Sequence, residues 1–322
     1  MTDPAPSKMR LAALVVTHNR LDKLRETVAR LLAEPLDHLL VVDNLSTDGT
    51  RDWLAGQTDP RLDVLLLEDN LGGAGGFELG LRAIQDRFDP DWTVLMDDDA
   101  RPEPGTFAAF RAEDWSGWTA VAGAAFYPDG RICETNRPWI NPFWHARAFL
   151  RTLIGGGRMG FHLPDSAYDT ETPRKIDGAS FVGLFLSRAA IDMAGYPDGR
   201  LFIYADDSIY TLELSRAGGR IAFVPGLRFE HDCSTLAPEG PKIYRPLWKI
   251  YYIYRNGLIL YHRAAGPVWF WCALPVVLLK WTLAGRPYGE DRPQYYRYLM
   301  SAIRDALFRR RASLEQQKVK MP

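Results

Sequence analysis

Three carboxylates in a row, Asp97-Asp98-Asp99, directly follow the apolar run Trp92 to Met96. Like charges this close repel one another unless a cation lies among them. A divalent ion held by oxygen ligands is the simplest neutraliser, and such an ion also binds a diphosphate. Neighbouring side chains of an extended segment point to opposite faces, so Asp97 and Asp99 are expected at one site with Asp98 turned elsewhere. A solvated acidic loop or the acidic pocket of a phospho-acceptor domain would carry the same triplet. Its place at the end of a buried strand, among other polar strand ends, favours the metal reading.

A second carboxylate pair, Asp206-Asp207, opens a predicted helix much later in the chain. Such a pair either caps the helix, where the dipole favours it, or supplies a base that takes a proton from a hydroxyl. His231 follows the strand-like run Gly226 to Glu230. Two carboxylates leave several positions on a cation open, and imidazole beside carboxylates favours Mn²⁺ over Mg²⁺. His18, His38, His145, His162 and His262 lack a comparable context and read as structural. Gly72-Gly73-Ala74-Gly75-Gly76 resembles a dinucleotide fingerprint only superficially, because Glu78 stands where the third glycine belongs. Small residues there let backbone approach a sugar or phosphate closely.

The elements that must position these groups alternate. Leu11 to Val16 reads as a buried strand, and His38 to Val42, Leu62 to Leu67 and Trp92 to Met96 as three further strands. Helical spacing runs from Leu21 to Leu32, a helix starts after Thr47-Asp48-Gly49-Thr50, and another spans Phe77 to Arg87 after the glycine turn. This order predicts an α/β protein with a mostly parallel central sheet flanked by helices, with ligands at the carboxyl ends of the strands. Thr17, His18, Asn19 and Arg20, then Asp43 and Asn44, then Asp69 and Asn70, then the aspartates, all fall at those ends. Further on, Ala120 to Phe126 and Arg131 to Glu134 read as a hairpin, and Trp139 to Asp177 as a long loop region. Strand-like runs return at Ala179 to Leu186 and Ile221 to Val224, and helices at Ser187 to Ala194 and from Asp206 to Arg216.

With 322 residues, 47% hydrophobic and 25% charged, the chain can bury a real core. Its net charge of −1 gives nothing that recruits nucleic acid. Three cysteines without CxxC spacing argue against a disulfide framework or a zinc site and fit a reducing cytoplasm. The polar Met1 to Arg10 lacks the apolar core of a signal peptide, so a cytoplasmic location is expected. Two regions are expected: residues 1–235, and an aromatic-rich helical appendage over 236–322. Within the appendage Val268 to Leu279 is twelve residues free of charge, with Pro275 inside it. That is short of the about 20 residues a spanning helix needs. With Lys280, Trp281 and Arg309-Arg310-Arg311 nearby, it reads as lying in a membrane interface, against the alternatives of a core-covering helical pair or a dimer contact.

The runs Val15 to Arg20, Val41 to Asn44 with Ser46 to Thr50, Asn70 to Phe77 and Asp97 to Asp99 resemble family 2 glycosyltransferases of the GT-A fold. Gly178 to Arg188, Phe202 to Asp207, Ala217-Gly218-Gly219 and Val224 through His231 follow the same family's order. The chain is most similar to the bacterial galactofuranosyltransferases, through Asn70 to Gly76, the Asp206-Asp207 pair and Tyr254-Arg255-Asn256. The resemblance implies an inverting, metal-dependent enzyme that moves galactofuranose from its UDP form to a cell-surface glycan or lipid-linked acceptor. It implies that Thr17 and Asp43 contact base and ribose and Arg20 the diphosphate, with Asn70, Gly72 and Gly73 along the donor and Asp98 facing its ribose or sugar. Asp97, Asp99 and His231 would hold Mn²⁺ or Mg²⁺, Asp207 would be the general base and Asp206 an acceptor contact. Rhamnosyl or other hexosyl transfer from a dTDP- or UDP-sugar is the alternative within the class. A non-catalytic nucleotide-sugar-binding assembly subunit is the alternative outside it. The expected location is the cytoplasm, peripheral on the inner face of the membrane.

Overall fold

A computed structural model describes residues 9–233 and 243–308. Four strands begin the chain, β1 (Leu11–Thr17), β2 (His38–Asp43), β3 (Leu62–Leu66) and β4 (Trp92–Asp97), of which β1, β2 and β4 are largely buried and β3 is half-buried at the sheet's edge. Between them run α1 (Leu21–Leu32), α2 (Thr50–Ala55) and α3 (Gly72–Phe88). The helices carry apolar stripes, such as Leu24, Val28 and Leu31 of α1, that pack on the sheet and remove it from water.

After β4 come β5 (Ala100–Pro102), α4 (Thr106–Ala112), β6 (Ala120–Phe126) and α5 (Ala146–Arg151). Then follow β7 (Arg174–Ile176), β8 (Leu184–Ser187), α6 (Arg188–Ala194), α7 (Asp206–Arg216) and β9 (Ile221–His231). The strands form one nine-stranded sheet in the order β3-β2-β1-β4-β8-β6-β9-β5, with β7 also paired to β9. β1 to β4, β6 and β9 point one way, while β5, β7 and β8 run against them. The expected mostly parallel sheet is therefore present, with two apolar layers on its faces.

Several local expectations are corrected. The glycine run is not a turn ahead of a helix; it is the first turns of α3. A Cβ on Gly76 would lie 2.4 Å from a Val16 methyl, and one on Gly80 2.5 Å from Leu14. Glycine brings α3 against β1, and that close packing outweighs its poor helix propensity. The hairpin after β6 reduces to one bridge between Phe126 and Ile132. The segment from Trp139 to Asp177 is not an unstructured loop, for it contains α5, short helical turns and β7. It is pinned by Trp139 bridging both His162 and Gly178, and by the Asn141 amide donating to the Ala264 carbonyl at 3.0 Å. Ile221 to Val224 and Gly226 to Glu230 belong to one strand, β9, bulged where its register with β6 shifts.

The C-terminal part is α8 (Lys249–Leu283) and α9 (Arg292–Phe308). α8 breaks at Gly266, whose φ of 69° and ψ of 175° leave the helical region. Its first half packs Ile250 and Tyr254 against Tyr288, Tyr295 and Leu299. Its second half buries Phe270 and Leu274 but leaves Val268 71% and Trp271 59% exposed. The expected boundary at residue 235, like Arg309 to Arg311 and Met1 to Lys8, lies outside the described residues.

Candidate active site

The aspartate triplet is not extended throughout. β4 ends at Asp97, and Asp98 and Asp99 form the turn into β5. The turn aims the side chains differently, much as strand alternation would. Asp98 is buried, accepting from the Thr17 hydroxyl at 2.8 Å and from Arg20 Nη1 at 3.2 Å. Asp99 accepts from Arg20 at 2.7 Å and lies 3.2 Å from His231 Nε2. His231 is delivered by pairing: Ala100 of β5 sits opposite His231 of β9, and the Asp232 N–H donates to the Asp99 carbonyl at 2.9 Å. One ligand atom each from Asp97, Asp99 and His231 lies within 4.8 Å of the others.

That donor set suits a divalent cation. Burial, then the charge of Asp99, pushes the Asp97 carboxyl up to about 7. Burial also raises Asp98 to about 6, with Arg20 opposing the rise. For Asp99, burial is overcome by the His231 hydrogen bond and by the charges of His231 and Arg20, so its carboxyl falls below the ordinary value. Burial likewise works against a charged His231, but hydrogen bonding to Asp99 and the nearby carboxylates raise it to about 10. Oxygen with imidazole nitrogen is a fitting ligand set for Mn²⁺.

Asp206 and Asp207 form the first turn of α7. Three residues with positive φ precede them without a glycine: Phe202 (66°), Tyr204 (70°) and Ala205 (60°). Such backbone persists only where surroundings over-determine it. Here the wholly buried Asn256 donates its amide to the carbonyls of Leu201 at 3.0 Å and of Ile203 and Tyr204 at 2.8 Å each. Arg255 adds bonds to the carbonyls of Arg200 and Leu201. Burial, then the charge of Asp207, holds the Asp206 carboxyl well above its ordinary value. Asp207 is raised by burial too, but the Ser208 N–H donates to its Oδ1 at 2.5 Å and favours the anion. Both carboxyls are thus raised by burial, and the Ser208 N–H favours the anion at Asp207 within the pair.

The remaining strand ends mostly hold one another. Thr17 and Asp43 are buried; Asp43 accepts from Arg51 at 2.6 Å and from the Ser46 N–H at 3.1 Å. Asn70 accepts from the Gly72 N–H at 2.9 Å and sits 3.2 Å from His18. Gly72, at φ 70°, faces the Phe202 carbonyl so closely that a Cβ would approach it to 2.1 Å. Its glycine is explained by packing; Gly73, where an added Cβ would meet nothing within 4 Å, is not. A cleft of about 420 Å³ lies on the Arg20 side of Asp99, lined also by Asn19, Lys23 and Asp48. Lys249 of α8 stands near Arg20, and burial followed by that neighbouring charge lowers its pKa. Composition and periodicity gave no sign of Lys249 or of the role of Asn256.

Comparison with known proteins gives the family and the fold. Residues 12–152 match the family described as Glycosyl transferase family 2. Galactofuranosyltransferase GlfT1 of Mycobacterium tuberculosis is 31% identical over 240 residues, covering 69% of this chain and 70% of the relative. Undecaprenyl-phosphate mannosyltransferase of Micrococcus luteus is 33% identical over 184 residues, 52% of this chain and 70% of its own length. Among solved structures, the mannosyltransferase PcManGT of Pyrobaculum calidifontis, in complex with GDP-Man and Mn²⁺, superposes with a TM-score of 0.51 at 16% identity. It covers 96% of this chain and 90% of that one, and the architecture they share is the GT-A fold. The chain belongs to glycosyltransferase family 2, whose members build glycans by sugar transfer.

Proposed function

We propose that the protein transfers galactofuranose, with inversion, from UDP-galactofuranose to a cell-surface glycan or lipid-linked acceptor. The observation that carries this reading is the gathering of Asp97, Asp99 and His231 at the sheet's carboxyl edge, where the charge of Asp97 also acts on Asp206. The donor sugar rests on the 31% identity to a galactofuranosyltransferase.

Asp97, Asp99 and His231 would hold Mn²⁺ in this reading, and the ion would supply positive charge to the diphosphate. Arg20 and Lys249 add charge on the same side. Asp207, whose Oδ1 accepts from the Ser208 N–H, takes the proton of the acceptor hydroxyl. The oxygen attacks the anomeric carbon from the face opposite UDP; the new glycosidic bond forms as the bond to phosphate breaks, and UDP departs. Gly73 lies against the donor and Asn70 beside it. Thr17, Asp43 and Asp98 act from behind, by holding Arg20 and the strand-end loops in place.

The catalytic unit extends past residue 235, because Arg255 and Asn256 of α8 hold the segment that presents Asp206-Asp207. The second half of α8 lies on a membrane's inner face. Its 17 residues after Gly266 reach about 26 Å at 1.5 Å each, less than the roughly 30 Å of a bilayer core. One side is packed through Phe270 and Leu274 and the other is exposed and apolar, as an interfacial helix requires. Ile154, 83% exposed, extends the apolar surface from the segment after α5, and Phe149 of α5 contacts Trp269.

A donor panel scored by nucleotide release, with and without Mn²⁺, tests the reading. UDP release from UDP-galactofuranose above all other donors, and only with Mn²⁺, is expected. Preferential release from a dTDP-sugar or GDP-mannose would replace the donor, and release from none would leave a nucleotide-sugar-binding subunit.

A further inference from the structure

Cys133 follows the turn after β6 and Cys233 follows β9, a hundred residues apart, yet the fold sets their sulfurs 3.6 Å from each other. Both are free thiols. The third member of the cluster is the same ring that faces Asp99. His231 Nδ1 lies 3.8 Å from Cys133 Sγ and 3.3 Å from Cys233 Sγ.

These lengths match a specific object. Tetrahedral zinc, with bonds of about 2.3 Å to sulfur and about 2.0 Å to nitrogen, sets two sulfurs about 3.75 Å apart and sulfur and nitrogen about 3.5 Å apart. The observed triangle of 3.6, 3.8 and 3.3 Å has those proportions before any ion enters. The Thr135 hydroxyl lies beside the two sulfurs, 3.2 Å from Cys133 Sγ and 3.8 Å from Cys233 Sγ. Two thiolates and an imidazole select a soft cation over Mg²⁺ or Mn²⁺.

We propose that Cys133, Cys233 and His231 Nδ1 form a second metal site, one for Zn²⁺ or a similar thiophilic cation, that competes with the carboxylate site for the imidazole of His231. Binding requires both sulfurs as thiolates and Nδ1 without its proton, and the protons displaced go to solvent. It exchanges the 2.7 Å hydrogen bond from Nδ1 to Asn136 Oδ1 for a metal bond. The remaining ring proton then sits on Nε2 and is donated to Asp99 Oδ1, 3.2 Å away, the carboxylate–histidine–zinc arrangement that orients such ligands. In that tautomer Nε2 has no lone pair for a cation between Asp97 and Asp99. The thiolate site stands on its own geometry; the antagonism rests on the function proposed above.

Co²⁺ is the probe for the site, because thiolate ligation gives it an ultraviolet charge-transfer band that carboxylate ligation does not. The full-length protein is expected to show that band and to lose it to Zn²⁺. Cys233→Ser, at a partly exposed position, should lose most of the band, as should Cys133→Ser. Absence of the band in the wild type, or its persistence in both variants, would overturn the site. For the antagonism, Mn²⁺ affinity is read by electron paramagnetic resonance with and without equimolar Zn²⁺. A rise of at least about tenfold in Kd that disappears in Cys233→Ser is expected of ligands competing for one ring. An equal Zn²⁺ effect in that variant, or none in the wild type, would overturn the competition. Failure of Mn²⁺ to bind in the absence of Zn²⁺ would count against the proposed function, while the cobalt band alone would still decide the thiolate site.

Discussion

The side-chain amide of Asn256 donates to the main-chain carbonyl of Tyr204 at 2.8 Å, across 52 residues of chain. Tyr204 has a φ of 70°, and Asp206 and Asp207 follow two and three residues later. A helix assigned from sequence to a C-terminal appendage thus holds the strained backbone that sets the direction of the proposed base.

Asn256→Ala should therefore act on turnover more than on donor binding. The carbonyls of Ile203 and Tyr204 lose this donor while that of Leu201 keeps Arg255, and each group left unsatisfied costs on the order of 1–3 kcal/mol. Released strain shifts Asp207, and a displacement of about 1 Å costs on the order of 10²-fold in rate. Steady-state kinetics with UDP calorimetry should show kcat reduced by about that factor and UDP affinity within about threefold. Equal losses in both would assign Asn256 to the donor site instead.

Metal binding should depend on pH in a direction the carboxylates fix. Asp97 is at about 7 in the folded chain against an ordinary 3.8, so in the metal-free protein it costs stability increasingly as pH rises from 3.8 through 7. His231 is raised from 6.5 to about 10, and its stabilising charge is complete below pH 6.5 and lost through pH 10. A bound cation needs both groups deprotonated. The rise in Tm produced by a fixed Mn²⁺ concentration should accordingly be larger at pH 8 than at pH 6. A constant or reversed increment would remove Asp97 and His231 from the cation site.

Gly76→Ala separates packing from ligand contact in the glycine run. The new Cβ meets Val16 at 2.4 Å, and overpacking of a core contact costs about 1–3 kcal/mol. Chemical denaturation should show that loss with UDP affinity unchanged. Gly73→Ala should do the reverse, since nothing within 4 Å opposes its Cβ.

Flotation with anionic liposomes checks the membrane surface. Trp271→Ser combined with Val276→Ser changes two exposed side chains, 59% and 69% accessible, and should leave Tm alone. Loss of most of the floated protein is expected, because Trp and aliphatic groups supply the interfacial affinity. Undiminished flotation would place the contact elsewhere.

What the sequence showed of the site was what short stretches encode. β1 to β4 are runs of apolar residues ending in polar ones, and α7 begins at Asp206 as expected, with both carboxylates in its first turn. Long-range pairing was hidden. Cys133 and Cys233 lack the spacing of a metal motif, so their sulfurs meet only because β6 and β9 are neighbours in the sheet. The positive φ values at Phe202, Tyr204 and Ala205 have no signature in residue type, since glycine normally marks such positions. The glycines of α3 misled for the opposite reason: their propensity points to a turn, while contacts with Val16 and Leu14 require a helix without side chains. Trp139 to Asp177 has no periodicity because distant partners such as Ala264 hold it.

The central claim is that Asp207 takes the acceptor's proton in a Mn²⁺-dependent transfer from UDP-galactofuranose. It is tested most directly by the rate of UDP release from that donor by Asp207→Asn against wild type, with acceptor and Mn²⁺ present and UDP affinity measured alongside. A loss of about 10²–10⁴-fold with UDP affinity retained is the predicted result. A rate within about threefold of wild type, outside any range general-base removal allows, would contradict it.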